Sequence, residues 1–167
     1  MKIELKNIKY FEFASHETSC YQATIHIDGK KVGTVENDGR GGTDNVHPWS
    51  VAQQIDAYAA TLPKVICSFN DPDTGKPAEM TQNHETIFGD ILTDWLHAKD
   101  LKRAMSKRIL FTKEDGRIYE TKSMPAPDLK WQLTNQPRLQ DALKATAILN
   151  LMPFDQALKT YRQGATA

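Results

Sequence analysis

The chain has 167 residues, 40% of them apolar and 25% charged, and its 21 Lys+Arg balance 21 Asp+Glu for a net charge of zero. Such a composition supports a packed core and excludes a disordered, collagen-like or Pro/Gly-dominated chain. It also excludes a polycation that coats nucleic acid and a polyanion that mimics it, so any such role must rest on a local patch.

The start, Met1-Lys2-Ile3-Glu4-Leu5-Lys6, alternates charged and apolar side chains and lacks the unbroken apolar stretch of a signal peptide. No apolar run approaches the roughly 20 residues of a membrane helix. The expectation is a cytoplasmic protein without membrane association. Cys20 and Cys67 stand in separate segments with no metal-binding spacing, and read as two reduced thiols.

Residues 1–36 read as antiparallel sheet. Ile3 and Leu5 share one parity while Ile8 and Tyr10 share the other, which requires a bulge near Asn7 if one face is to stay buried. Tyr21, Ala23, Ile25 and Ile27 alternate with polar residues, Asp28-Gly29 suits a tight hairpin turn, and Val32–Val35 return. Asn37-Asp38-Gly39-Arg40-Gly41-Gly42-Thr43-Asp44-Asn45 has no apolar residue and reads as an exposed loop. A helix is expected from Pro48 to Leu62, with Trp49, Ala52, Ile55, Ala59 and Leu62 along one face until Pro63 stops it.

Lys64–Phe69 reads as a strand, 70–77 as a polar turn, and 85–106 as a long helix with Ile87, Phe88, Ile91, Leu92, Trp95 and Leu96 on its apolar stripe. Asp115-Gly116 marks a second hairpin between Ile109–Phe111 and Ile118–Thr121. Met124-Pro125-Ala126-Pro127 reads as a linker, Pro137 opens a helix through Ala147, and Pro153 opens another through Tyr161. The expected fold class is α+β: an N-terminal antiparallel β-meander packed on helices, a second β-hairpin, and C-terminal helices. The expected organisation is one domain over 1–167, with 128–167 as a candidate helical subdomain. Its expected core is Ile25, Ile27, Val35, Ile55, Ile91, Leu92, Trp95, Leu143 and Leu158; of the other tryptophans, Trp131 is the one expected at the surface.

Three constellations invite chemistry. The glycine loop could expose backbone N–H groups to an anion, with Arg40 adding charge, although no P-loop Lys follows its glycines. Asp38, Arg40 and Asp44 are its candidate binding residues. His-Glu-Thr occurs twice, at 16–18 and 84–86, and resembles the paired His-x-Thr motifs of two-histidine phosphoesterases. That resemblance implies His16 and His84 as acid and base, with Thr18 and Thr86 holding phosphate oxygens. In that family both copies sit on strands, whereas here one lies between strands and one at a helix start, so no catalytic set is adopted. A basic run, Lys99, Lys102, Arg103, Lys107, Arg108, Lys113, Arg117 and Lys122, could hold a nucleic-acid backbone or an acidic protein face, with Arg103, Arg108 and Arg117 as its binding candidates. Asp71-Pro72-Asp73-Thr74-Gly75 lacks the ligands of a calcium loop, and neither metal nor cofactor is expected.

Taken together, Ser15-His16-Glu17-Thr18-Ser19-Cys20-Tyr21-Gln22-Ala23-Thr24, Asp28-Gly29-Lys30-Lys31-Val32-Gly33 and Asn37-Asp38-Gly39-Arg40-Gly41-Gly42 resemble the opening of small accessory proteins of bacteriophages and prophages. The resemblance covers the first quarter of the chain and implies a shared β-meander. It implies a protein that binds a host macromolecule without catalysis, for example an inhibitor of a bacterial defence system. The alternatives are a small nucleotide or phosphodiester hydrolase or nucleotide-binding protein, and a nucleic-acid-binding accessory protein.

Overall fold

A computed structural model describes residues 1–165. The fold is α+β, and the chain divides into two compact units, Met1–Leu92 and Thr93 onward. The division falls inside a long helix and does not coincide with residue 128.

In the first unit, β1 (Ile3–Tyr10), β2 (Tyr21–Ile27), β3 (Lys30–Asn37) and β4 (Asn45–His47) form an antiparallel sheet in chain order. The parity switch in β1 is resolved as expected: the register with β2 shifts between Lys6 and Lys9, and Asn7 takes φ +53°. An Asn tolerates this left-handed conformation better than a β-branched residue would. Leu5, Tyr21, Ala23, Ile25, Ile27, Val35 and Val46 bury one face of the sheet. Asp28 (φ +50°) and Gly29 (φ +82°) make the turn between β2 and β3.

Helix α1 (Trp49–Ala59) adds Val51, Ala52, Ile55 and Ala59 to the buried set. Trp49 departs from expectation and is 56% exposed. As the first helical residue it has no preceding turn to cover it. β5 (Val65–Asn70) and β6 (Pro77–Met80) form a separate two-stranded sheet, so Pro77 opens a strand where a turn was expected. A proline is tolerated there because the first residue of a strand need not donate to the ladder. Helix α2 (His84–Met105) supplies Phe88 and Leu92 to this unit's buried residues.

In the second unit, β7 (Leu110–Thr112) is central between β8 (Ile118–Glu120) and β9 (Ala147–Ile148). Period-two alternation sends its neighbours into separate apolar clusters. Phe111 packs with Ile109, Leu129, Leu139 and Ile148, whereas Leu110 packs with Leu101, Leu149 and Ala157.

The expected Pro-rich linker instead starts α3 (Ala126–Asn135), because Pro125 caps it and Pro127 sits in the first turn, where a missing N–H costs no helical bond. Helix α4 (Leu139–Leu143) ends at Lys144, which adopts φ +50°, so Ala147 belongs to β9 rather than to a helix. Helix α5 (Phe154–Ala165) follows Pro153 as expected. Of the expected core, Ile25, Ile27, Val35, Ile55 and Leu92 are buried, while Ile91, Trp95, Leu143 and Leu158 are half-buried. No helix among the described residues is long and apolar enough to cross a membrane.

Candidate functional site

The glycine loop is an ordered structure with Asn37 at its centre. The Asn37 side-chain oxygen accepts from the N–H of Gly39 (2.9 Å) and the hydroxyl of Thr18 (2.9 Å). Its amide nitrogen donates to Gly42 O (3.0 Å) and to the Asp44 carboxylate (3.0 Å). Gly39 sits at φ +80°, and its carbonyl oxygen accepts from the backbone N–H groups of His16, Glu17 and Thr18 at 3.0, 3.0 and 3.3 Å. The first His-Glu-Thr copy therefore docks on the loop with its backbone, and its His16 side chain stays exposed.

The second copy reaches the same loop from the start of α2. Glu85 accepts from the backbone N–H of Asp44 at 3.2 Å. Thr86 and Asn83 form a reciprocal capping box: Thr86 N–H donates to the Asn83 side chain (3.0 Å) and Asn83 N–H to the Thr86 hydroxyl (2.8 Å). His84 is only 6% exposed. Both its backbone N–H and its Nδ1 lie 2.7 Å from one oxygen of Asp56, and its ring meets Trp49 and Phe88 edge-on. The His84 Nε2 is buried and has no hydrogen-bond partner. The repeated tripeptide thus clamps the loop from two sides, with its hydroxyls committed to Asn37 and Asn83.

Asp44 joins the two clamps. Tyr21 donates its hydroxyl to the Asp44 carboxylate at 2.8 Å. Burial raises the Asp44 carboxyl above its ordinary value, with Glu85 adding to the rise, while the hydrogen bonds from Tyr21 and Asn37 and the His84 side chain oppose it. Burial, reinforced by Asp44, raises the Tyr21 phenol as well. A carboxyl whose folded pKa exceeds its unfolded one makes the folded state bind more protons, so it favours folding as pH falls through the raised value. Relative to Asp44→Asn, the wild-type protein should therefore gain stability between neutral pH and the ordinary carboxylate range, as read from urea unfolding at a series of pH values. A flat difference between the two proteins would show that the carboxyl is unperturbed.

The loop's backbone donors are largely spent internally. Gly39 N–H donates to Asn37, Arg40 N–H to Asp38 (3.1 Å) and Gly41 N–H to Thr18 (3.3 Å). A phosphate seated here would have to break these bonds. What the loop presents outward is different. Its Gly39 packs against the carbonyl of Ala14, in the short 3-10 turn Glu12–Ala14 between β1 and β2. That turn carries Phe13 at 98% exposure, and Phe11 beside it is also exposed. Arg40 and Asp38 are exposed on the loop itself. No protein-family model matches the chain, and no match to it was found among curated proteins or solved structures.

In the second unit, Arg103 and Arg108 line a recess of about 360 Å³ together with Asp100, Lys107, Glu120, Ser123 and Tyr161, and Arg117 is not among its lining residues. Arg108 is paired with Glu120 at 2.6 Å. Several other cations of the basic run lie over aromatic rings of their own unit: Lys99 on Trp95 (5.0 Å), Lys102 on Phe154 (4.9 Å) and Lys113 on Tyr119 (4.4 Å). The recess also adjoins the C-terminal turn of α2, where the helix dipole is negative and disfavours anions. Among the described residues, no group of three or more His, Cys, Asp or Glu is placed to hold a metal ion.

Sequence reasoning picked out Asp38, Arg40 and Asp44 but missed Asn37, Tyr21, Asp56 and Phe13. An Asn immediately before an Asp-Gly pair was the available signal for Asn37, since Asx side chains brace turns. Phe13 was hidden because an aromatic residue in sequence defaults to the core.

Proposed function

We propose that this is a phage-type accessory protein that binds a host protein without catalysis, using the loop end of its first unit. The observation that carries the reading is Phe13, almost wholly exposed on a turn that the Gly39 contacts hold in place. A large apolar ring displayed on a pre-ordered backbone loses little entropy on binding. Arg40 and Asp38 beside it supply polar selectivity, and the resemblance to phage accessory proteins suggests a host defence component as the class of target. Internal use of Lys99, Lys102, Arg108 and Lys113 of the basic run, and of the loop's N–H groups, supports a protein partner over a nucleic acid or a nucleotide.

The test is capture of bound proteins from bacterial lysate, without nuclease treatment, by the tagged wild-type chain and by Phe13→Ala. We expect one stoichiometric protein partner whose affinity falls about 30-fold or more in the variant, the loss of about 2 kcal/mol expected of an interface anchor. Equal capture by both proteins, or recovery of nucleic acid in place of protein, would overturn the reading.

A further inference from the structure

An antiparallel sheet that packs one face on a core leaves the other to solvent. In the first unit that outer face holds a recess of about 430 Å³ lined from all four strands, a volume in the range of small-molecule sites. The strand register explains its shape. Thr24 and Thr34 lie opposite each other at its centre, and their short side chains form a floor. His47, opposite Thr34, closes one end, and Asn7 closes the other. The bulge in β1 turns Asn7 onto this face, where its amide donates to the Thr24 hydroxyl at 3.3 Å. Alongside the floor runs a row of longer side chains in register: Lys9 opposite Gln22, Gln22 opposite Glu36, and Glu36 opposite Asn45.

That row carries two opposite charges that do not meet. Lys9 and Glu36 stand two strand spacings apart, about 10 Å between Cα atoms. Among the described residues Lys9 forms no ion pair, and Glu36 accepts only from the Asn45 amide at 3.3 Å. The Gln22 side chain lies between them with its amide uncommitted. Ammonium, amide and carboxylate therefore follow one another across the sheet.

We propose that this recess binds a zwitterionic dipeptide laid across the strands, its carboxylate on Lys9, its peptide group on Gln22 and its ammonium on Glu36. Two extended residues span about 7 Å, which brings both ends within hydrogen-bond reach of the two charged side chains. A lone anion would meet Lys9 but face Glu36, and a lone cation the reverse. An uncharged ligand would leave both charges unmatched. A segment within a longer chain lacks both terminal charges, so the order of groups along the row favours a free dipeptide. The ligand's own side chains would lie over the low Thr24–Thr34 floor.

The test is titration of the full-length, isotope-labelled chain with the dipeptide Ala-Ala, followed through its amide resonances. The open recess sets an expected Kd of about 1 mM, with shifts centred on Gln22, Thr34 and Glu36. Amidating the carboxyl end or acetylating the amino end should each weaken binding about fivefold, as loss of an exposed ion pair does. Lys9→Met should then bind Ala-Ala and its amide alike, and Glu36→Gln should bind Ala-Ala and its acetylated form alike. Both side chains are exposed, so the buried face of the sheet is untouched by either variant. Absence of saturable shifts by about 10 mM, or blocking effects that persist in the matching variants, would overturn the proposal. So would free alanine binding as tightly as Ala-Ala, since the middle of the row would then hold no peptide group. Phe13 does not line the recess, so Phe13→Ala should bind Ala-Ala as the wild-type protein does, whether or not the proposed host-protein binding holds.

Discussion

Gly39→Ala is expected to lower the stability of the first unit by about 3 kcal/mol or more, through two costs that add. The residue sits at φ +80°, where an L side chain is strained, at a cost of about 1 kcal/mol or more. The larger cost is steric. An added Cβ would overlap the carbonyl oxygen of Ala14 and lie 2.9 Å from Cβ of Cys20, and the first of these is backbone that cannot swing aside. Relief requires the loop to lift from the 3-10 turn, and lifting it withdraws the carbonyl that accepts from His16, Glu17 and Thr18. Each hydrogen bond lost in this way removes about 1 kcal/mol. The variant with Phe at positions 95 and 131 leaves Trp49 as sole reporter, and its denaturation midpoint should fall sharply on adding Gly39→Ala. Gly42→Ala is the control, since nothing lies within 4 Å of its added Cβ. If both substitutions shift the midpoint equally, the close contact at Gly39 is not what holds the loop. Because the same contact orders the turn that carries Phe13, Gly39→Ala should also weaken partner capture without touching the exposed ring.

The fold was legible where one physical signal governed a segment. The parity break at Asn7, the alternation of Tyr21 to Ile27 and the Asp28-Gly29 and Asp115-Gly116 turns each depend on local backbone geometry, and each was found. The elements that escaped depend on partners distant in sequence. β4 is three residues long in a polar stretch, and only its pairing with Thr34, Val35 and Glu36 makes it a strand. β9 is two residues long and exists because Phe111 and Thr112 are opposite it. α3 was misread for a different reason, since two prolines two residues apart look like a break although both fit a helix start. The site divided in the same way. Asp38, Arg40 and Asp44 advertise themselves by charge in a glycine loop, whereas the meeting of Thr18 with Asn37, and of Glu85 with Asp44, joins residues 19 and 41 apart. Repetition of His-Glu-Thr was visible in the sequence; that both copies brace one loop was not.

Asn150 is the comparable residue of the second unit, and no sequence pattern marked it. Its amide nitrogen donates to the carbonyls of Met105 (3.1 Å) and Arg108 (2.9 Å), and its side-chain oxygen accepts from the N–H of Leu110 (2.7 Å). One side chain thereby satisfies the end of α2, the connection after it and the first residue of β7, which is buried. Helix ends and strand starts carry backbone groups that secondary structure leaves unpaired, and burying them unpaired costs about 1–3 kcal/mol each. Asn150→Leu keeps similar bulk and removes all three bonds, so a loss of about 3 kcal/mol or more is expected. Asn150→Asp separates the contributions, because a carboxylate still accepts from Leu110 but cannot donate to the two carbonyls and places negative charge beside them. It should recover little of the loss at neutral pH and more at low pH, where a protonated carboxyl regains one donor. Urea unfolding with Trp95 as sole tryptophan reads both variants. Should Asn150→Asp match the wild-type protein at neutral pH, the two carbonyl bonds contribute nothing and the Leu110 bond alone holds this junction.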